Sequence, residues 1–163
     1  MRQTVRKVAV VTDSAANLPP DLAAAHDIFV VPVLLYMQDR EYRDGIVVTP
    51  SQVYRHMRES QDGNLPRTAT PSAGEFFRVY TLAAQQAQEI VSVHLSANLS
   101  AIYQVACMAR DMAPAPVHVL DSRTAAMGCG FAALEAARLA GAGAEADAVL
   151  RRAEEIARRA RVL

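Results

Sequence analysis

The sequence predicts an α/β fold in which a mainly parallel sheet is flanked by helices on both faces. Four short apolar runs, rich in β-branched residues, alternate with segments of helical periodicity and cover residues 7–11, 28–36, 89–95 and 117–120. Strands that helices cover on both faces have this composition. The alternation of such strands with helices is typical of a parallel sheet.

The composition fits one compact domain and argues against two classes of protein. The 163 residues are 52% hydrophobic and 21% charged, as in ordinary globular domains. Lysine plus arginine and aspartate plus glutamate number 17 each, so a net charge of zero offers no field that attracts nucleic acid. The apolar run 8–11 after the basic amino terminus is far too short for a signal peptide or a membrane span. A cytoplasmic protein without a nucleic-acid partner is therefore expected.

Capping signals predict where the first three helices begin. The two prolines at 19–20 open a helix that runs to about His26. A second helix begins after Thr49, which is followed by proline at the first helical position and by glutamine three residues on. Ser72 and Glu75 have the spacing of a capping box for a third helix. The inner side of this third helix is expected to carry Phe76, Phe77 and Tyr80.

Three more helices are predicted in the second half of the chain. One follows Leu99 and runs to about Ala113, where prolines end it. An alanine-rich helix covers residues 124–140 and stops at the glycines of 141–143. A strongly charged amphipathic helix covers residues 144–160.

The remaining segments are predicted as surface connections. Residues 40–45 are polar and end with glycine, so they are expected to form a turn between two extended segments, and residues 62–64 form a second loop. An apolar pair begins at residues 162–163 with nothing after it, which suggests a fragment whose next strand has been lost. Such a fragment should expose an apolar patch and self-associate.

The glycines and cysteines do not indicate a cofactor or a metal site. Gly128 and Gly130 imitate a dinucleotide fingerprint, but they lie well after the strand end at Asp121, so close helix packing is the favoured explanation. Cys107 and Cys129 lie among small apolar residues in helical segments and lack the ligand spacing of zinc sites. We therefore expect reduced, buried thiols, no metal and no cofactor.

The sequence offers no catalytic motif. It lacks both the Gly-x-Ser-x-Gly elbow of many hydrolases and the Gly-x-x-x-x-Gly-Lys phosphate loop. His94 and His118 lie within apolar strands and are predicted to be hydrogen-bonded core residues, whereas His26 and His56 are predicted to be exposed on helices. No catalytic residue is assigned, and a non-enzyme is the favoured interpretation.

Hydroxyl-bearing segments follow three of the predicted strands and precede one helix, at residues 12–14, 96–100, 121–122 and 67–72. In open parallel sheets, ligands bind beyond the carboxyl ends of the strands. Four residues are therefore expected toward the same edge of the sheet: Ser14, Thr68, Ser96 and Ser122. Helix amino termini at that edge would suit a carboxylate or phosphate. The competing explanation is helix capping, which selects the same residue types.

Several short motifs resemble, in their usual order, those of the DegV family. The opening motifs are Val-Val-Thr-Asp-Ser at 10–14, Leu-Pro at 18–19, Val-Pro-Val at 31–33 and Tyr-Arg-Asp-Gly at 42–45. Thr-Ala-Thr-Pro-Ser at 68–72 is similar to the family's Thr-Ser-Gln-Pro-Ser, and residues 96–104 to its Ser-Ser-x-Leu-Ser-Gly-Thr-Tyr-Gln. Asp-Ser at 121–122, with the glycines at 128 and 130, resembles the next block. The ordered set spans nearly the whole chain.

This resemblance implies a bacterial fatty-acid-binding carrier with two domains. Residues 1–163 would be the amino-terminal α/β domain, and the family's carboxy-terminal domain is absent from this chain, which alone would not enclose a lipid. In the family a long-chain acyl group is buried between the domains, hydroxyls hold its carboxylate, and the bound acid is presented to a partner fatty acid kinase. The ligand-binding residues expected here are Thr68, Ser96, Ala97, Ser100, Asp13 and Ser14.

Five residues depart from the family's head-group motifs. Ala97 stands where typical members have a second serine that contacts the carboxylate. Ala69 and Thr70 replace serine and glutamine, and Ala101 and Ile102 replace glycine and threonine. Two other interpretations therefore stay open. One is a degenerate paralogue that binds another small anion or serves as a protein-interaction domain, and the other is a hydrolase or transferase with an unrecognised site.

Overall fold

The computed structural model describes residues 5–37, 40–60 and 65–161, which form two sheets and six helices. The strands are β1 (Arg6–Asp13), β2 (Ile28–Val31), β3 (Leu34–Met37), β4 (Arg40–Arg43), β5 (Arg67–Ala69), β6 (Ala87–His94) and β7 (Val117–Asp121). The helices are α1 (Pro20–Ala25), α2 (Pro50–Glu59), α3 (Ala73–Ala84), α4 (Ile102–Arg110), α5 (Met127–Gly141) and α6 (Ala146–Arg159). A single 3-10 turn, Ser14–Ala16, follows β1 directly.

Four strands form one parallel sheet, the large sheet, in the order β2-β1-β6-β7. Each of them overlaps one of the four apolar runs, so the predicted parallel sheet is confirmed. The central strands β1 and β6 are buried along most of their length because helices cover both faces. In the pairing of these two strands, Val11 lies opposite Ser92 and Thr12 opposite Val93. The carboxyl ends of β1 and β6 therefore lie side by side.

A second, antiparallel sheet, the small sheet, was not predicted; its order is β4-β3-β5. The apolar run 28–36 is two strands, because Pro32 has no amide hydrogen with which to continue the ladder. The prediction of a turn at 40–45 is wrong: residues 40–43 pair with β3, and the turn comes at Gly45, whose φ is 73°. Most of β4 is exposed, so it lacks the apolar pattern by which a buried strand is identified.

Helices cover both faces of the large sheet, as predicted. α3 and α4 pack on one face, where Phe76 and Tyr80 are fully buried. α1, α5 and α6 pack on the other face. The prediction that Phe77 lies on the inner side of α3 is wrong. Phe77 is 40% exposed because one residue turns the helix by about 100° away from Phe76.

Helix α5 approaches the large sheet and the 3-10 turn closely because its inner residues are small. Its fully buried residues include Cys129, Ala132, Ala133 and Ala136. A Cβ atom at Gly130 would lie 2.7 Å from the backbone oxygen of Ala16, and one at Gly128 would lie 2.3 Å from Thr124 Oγ1. The explanation of both glycines by close packing is therefore confirmed.

Side-chain caps begin two helices at the predicted residues. Thr49 Oγ1 accepts from the Gln52 amide, and the Gln52 side chain accepts from the Thr49 amide at 2.8 Å, which completes the capping box of α2. Ser72 Oγ accepts from the Glu75 amide at 3.2 Å and caps α3. Helix α5 begins later than predicted, because Ala126 has a φ of 48°, which is outside the helical region.

Two predicted features, the loop at 62–64 and the apolar pair at 162–163, lie outside the described residues. Both remain predictions. Within the described ranges, no helix combines the length and the apolar character that crossing a membrane requires.

Replacing Gly130 by alanine should destabilise the fold, because the new methyl group collides with the Ala16 carbonyl oxygen. Overpacking of this kind costs about 1–3 kcal/mol. Gly141 is the matched control, since it lies in the same helix and a Cβ atom there meets nothing within 4 Å. Gly141→Ala should leave the free energy of unfolding unchanged or raise it by up to about 1 kcal/mol. Urea denaturation measures both effects, and equal stabilities of the two variants would contradict the close-packing explanation.

Candidate functional site

Three hydroxyl-bearing loops lie at the same edge of the large sheet. Ser14 follows β1, Ser96 follows β6 and Ser122 follows β7, and these strands all run in parallel. Two backbone hydrogen bonds join the loops after β6 and β7. The Ser122 amide donates to the His94 carbonyl at 2.9 Å, and the Ser96 amide donates to the Thr124 carbonyl at 2.8 Å. The structure thus brings together three of the four residues expected at this edge.

Thr68, the fourth residue expected at the edge, lies in β5 of the small sheet. It is exposed and pairs with Leu35 of β3. The small sheet begins just after β2 ends, and there the Val33 amide donates to Ser14 Oγ at 3.0 Å. The Ser14 hydroxyl thereby connects the end of β1 to the start of the small sheet. Thr68 belongs to this neighbouring sheet and does not follow a strand of the large one.

Several of these hydroxyl groups already accept a local hydrogen bond. Ser96 is buried, and its Oγ accepts from the Asn98 amide at 3.3 Å. Ser100 Oγ accepts from the Ile102 amide at 3.3 Å at the start of α4. Local capping therefore accounts for these residue types. A serine oxygen that accepts such a bond still carries a hydrogen, which can be donated to an anionic ligand.

Asp121 organises the loop that contains Ala97. Its Oδ1 accepts from the Ala97 amide at 3.2 Å and from the Arg123 amide at 2.9 Å. The Ala97 amide is consequently engaged within the protein, and the side chain of residue 97 is only a methyl group. Sequence reasoning missed this role, because the carboxylate and the amide come from loops 24 residues apart.

Asp13, which was predicted to bind ligand, is fully buried, and both of its carboxylate oxygens are engaged inside the protein. Oδ1 accepts from the Ala15 amide at 3.0 Å and caps the 3-10 turn. Oδ2 lies 2.8 Å from His94 Nδ1. His94 is fully buried as well, which confirms the predicted hydrogen-bonded core histidine. The Asp13 carboxylate therefore supports the edge from within the core.

His94 belongs to a buried chain of hydrogen-bonded side chains, which sequence reasoning missed. Its Nε2 lies 2.6 Å from Ser92 Oγ, and the Tyr80 hydroxyl donates to the same oxygen at 3.0 Å. Burial raises the pKa of Tyr80, so its hydroxyl keeps the hydrogen that it donates. The available sequence signal is the alternation of Ser92 and His94, which places both on one face of β6.

Ser92, His94 and Asp13 of this buried polar chain follow the hydrogen-bonding order of a hydrolase triad. Ser92, His94 and Asp13 nevertheless have no exposed surface. A substrate therefore has no access to the Ser92 hydroxyl in this structure.

An open cleft of about 440 Å³ adjoins Ser14, between the turn after β1, the end of β2 and the start of α2. Its lining mixes polar and apolar side chains and includes Ser14, Asn17, Pro32, Asp44, Ile46 and Tyr54. Clefts with apolar walls and a few polar groups are typical sites for small molecules. Thr68, Ser96 and Ser100 are not part of this lining. The predicted residues are thus divided between the cleft and the neighbouring loops.

The other histidines differ from their predicted environments. His118 is half-buried instead of core, because β7 is an edge strand, and its Nε2 lies 2.7 Å from Glu89 Oε2. His26 and His56 are half-buried near the ends of their helices and not fully exposed. In the part of the chain that the structure describes, no three histidine, cysteine, aspartate or glutamate side chains group as metal ligands would.

Residues 7–163 match the family model described as uncharacterised protein, DegV family. A DegV domain-containing protein of Caldanaerobacter subterraneus is 33% identical over 147 residues, which make up 90% of this chain and 51% of that protein. One from Streptomyces coelicolor is 36% identical over 151 residues, or 92% of this chain and 53% of the relative. The chain spans about half the length of the curated relatives it matches.

Solved structures share this fold. A DegV family protein of Thermus thermophilus, described as fatty-acid-binding, is 34% identical with a TM-score of 0.84, over 93% of this chain and 54% of that one. DegV of Bacillus subtilis, described as a fatty acid binding protein, is 28% identical with a TM-score of 0.85, over 94% of this chain and 54% of that one. These matches confirm the predicted fold class.

Alkylation of the native protein should distinguish the two cysteines. Cys129 is fully buried, and burial, followed by the nearby charge of Asp13, raises its pKa to about 12. Its thiol therefore stays protonated and unreactive at pH 8. Cys107 is only half-buried on α4, so iodoacetamide should modify it well before Cys129. Mass spectrometry of peptides measures both rates, which should become similar in urea. Equal rates in the native protein would contradict the buried position of Cys129.

Proposed function

This chain belongs to the DegV family, and from that premise we propose that it forms the head-group half of a fatty-acid-binding carrier. The observation that carries the proposal is the grouping of Ser14, Ser96 and Ser122 at one edge of the large sheet, where Ser14 also lines a cleft of mixed polar and apolar side chains. Relatives of this fold from Thermus thermophilus and Bacillus subtilis are described as fatty-acid-binding. The ligand proposed for this chain is accordingly a long-chain fatty acid.

The head site must compensate the carboxylate for the water that it loses. An unpaired buried charge costs several kcal/mol, and each hydrogen bond to a charged group returns about 1.5–3 kcal/mol. Thr68, Ser96 and Ser100 are the proposed donors, and Ser14 lines the neighbouring cleft. The acyl tail would add about 0.8 kcal/mol per buried methylene, so affinity comes from the tail and orientation from the head site.

We propose further that the carrier presents the acyl carboxylate to a partner fatty acid kinase and performs no chemistry itself. Ser92 is buried, and the Cys129 thiol is protonated, so neither is a nucleophile at the edge. A carboxylate held by surface loops would remain accessible to a second protein. The other wall of the pocket, in this proposal, belongs to a second domain that residues 1–163 do not include.

A protein-interaction role is the second candidate, and exposed apolar residues favour it. Ile46, Val47 and Tyr54 are 63%, 60% and 61% exposed, and Met57 is 43% exposed. We call these four residues the α2 patch, because they lie on α2 or in the turn before it. No residue of α2 itself is buried. Exposed apolar patches of this kind mark interaction sites and lead to self-association.

Self-association through the α2 patch can be tested directly. Multi-angle light scattering at rising concentration should give a mass above that of the monomer, because association removes the patch from water. Tyr54→Glu should restore the monomer mass. Leu99→Glu is the control, since Leu99 is exposed to a similar extent but lies outside the patch. A wild-type chain that stays monomeric would remove the support for this second candidate.

Restoring the serine that typical family members carry should tighten fatty-acid binding. Ala97→Ser adds one donor at the head site. A neutral hydrogen bond is worth about 0.5–1.5 kcal/mol and one to a charged group about 1.5–3 kcal/mol, so the Kd for stearate should fall roughly tenfold. Ala24→Ser is the matched control, because Ala24 is exposed on α1 and lies outside the head-group motifs. Thr68→Ala should weaken binding. Isothermal titration calorimetry measures all four proteins.

The same titrations decide whether the proposal holds. They are performed on this chain and on a fusion with the carboxy-terminal half of the Thermus thermophilus relative, since the matched relatives are about twice as long. The carrier proposal fails if neither protein binds stearate. The assignment of the head site fails if stearate binds but Ala97→Ser and Thr68→Ala both leave its affinity unchanged.

A further inference from the structure

When the His94 ring is neutral, the buried hydrogen-bonded chain of Tyr80, Ser92, His94 and Asp13 has one hydrogen-bonding direction. An ionised carboxylate only accepts, so the 2.8 Å contact with Asp13 requires a hydrogen on His94 Nδ1. The neutral ring then accepts at Nε2, and the Ser92 hydroxyl donates to it at 2.6 Å. This leaves the Ser92 oxygen to accept from the Tyr80 hydroxyl at 3.0 Å. Every polar group of the chain is thus paired without exposure to solvent.

This hydrogen-bonded chain of four side chains joins the three elements that carry the predicted head-group motifs. Tyr80 lies in α3, which directly follows the motif at 68–72. Ser92 and His94 end β6, immediately before the motif that begins at Ser96. Asp13 ends β1, immediately before Ser14, and caps the turn that contains it. A second contact supports the junction with α3, because the Phe76 ring packs edge-on against His94 with ring centroids 5.2 Å apart.

We propose that Tyr80, Ser92 and His94 are positioning residues, which hold the three motifs in register for the acyl carboxylate; this role rests on the proposed function. Apolar side chains in the same space could pack in several ways. A hydrogen-bonded chain is satisfied in one geometry, and leaving any member unpaired in the core is costly. A displacement of one motif is therefore transmitted to the other two.

The ring nitrogens of His94 give the first test. Nitrogen-15 NMR of the protein at neutral pH should show a hydrogen on Nδ1 of His94 and none on Nε2. In Asp13→Asn the side-chain amide can donate to Nδ1, so the ring hydrogen should move to Nε2, as it does when a triad aspartate is replaced by asparagine. A wild-type ring that carries its hydrogen on Nε2, or on both nitrogens, would overturn the proposed direction of the chain.

The second test compares two substitutions on the same buried face of β6. Ser92→Ala interrupts the chain, whereas Ile90→Val shortens a neighbouring apolar side chain and leaves the chain intact. Ser92→Ala should shift the amide resonance of Ala15, at the far end of the chain, and weaken stearate binding roughly threefold to tenfold. Ile90→Val should change neither. Tyr80→Phe, which keeps the ring, replaces Ser92→Ala if that variant folds poorly.

The outcomes separate this proposal from the proposed function. If Ser92→Ala lowers thermal stability but leaves the Ala15 resonance and the stearate affinity as in wild type, the chain is merely structural and the positioning role is wrong. The carrier function would then still stand. If the wild-type protein and its fusion bind no stearate, the carrier function fails. The shift of the Ala15 amide resonance between wild type and Ser92→Ala, both without ligand, then decides by itself whether the hydrogen-bonded chain couples the motifs.

Discussion

The buried carboxylate of Asp13 is the constraint on which the edge at the carboxyl ends of β1 and β6 depends. An uncompensated charge in a protein core costs several kcal/mol, so the elements around it must bring donors to fixed positions. His94 of β6 brings one to 2.8 Å, and the Ala15 amide brings another to 3.0 Å. The two central strands and the turn that presents Ser14 are thereby held together. This is the edge at which open parallel sheets bind their ligands.

The two faces of the large sheet are packed in different ways, and both hold the end of β1. On the α3 face, the Phe76 ring packs against both Tyr80 and His94 of the buried polar chain. On the α5 face, small residues let a helix approach the backbone, with Gly130 against the Ala16 carbonyl oxygen. Cys129 Sγ also lies 4.0 Å from Thr12 Oγ1 on this face. The hydrogen bonds on the α3 face specify one arrangement of β1 and β6. The small residues on the other face permit close contact between α5 and the backbone after β1.

Helix capping and the proposed ligand binding use the same chemical groups at this edge. The oxygens of Ser96 and Ser100 accept bonds from backbone amides, while their hydrogens remain as donors. In the proposed head site, an alanine at position 97 lacks a ligand donor without loss of a cap, because the loop is held by Asp121. This separation explains how the fold tolerates Ala97 even if the affinity of the head site depends on it.

Local patterns in the sequence determined the four parallel strands, the starts of the helices after Thr49 and Ser72, and the core position of His94. Apolar runs and helix caps depend on residues only a few positions apart. They can therefore be identified in the sequence without knowledge of which segments pack together. Only the tertiary structure decided the small sheet and the buried polar chain. The polar strand β4 pairs because of where β3 lies, and Asp13 meets a histidine 81 residues away. Such contacts depend on strand order and register, which the packing of the whole chain selects.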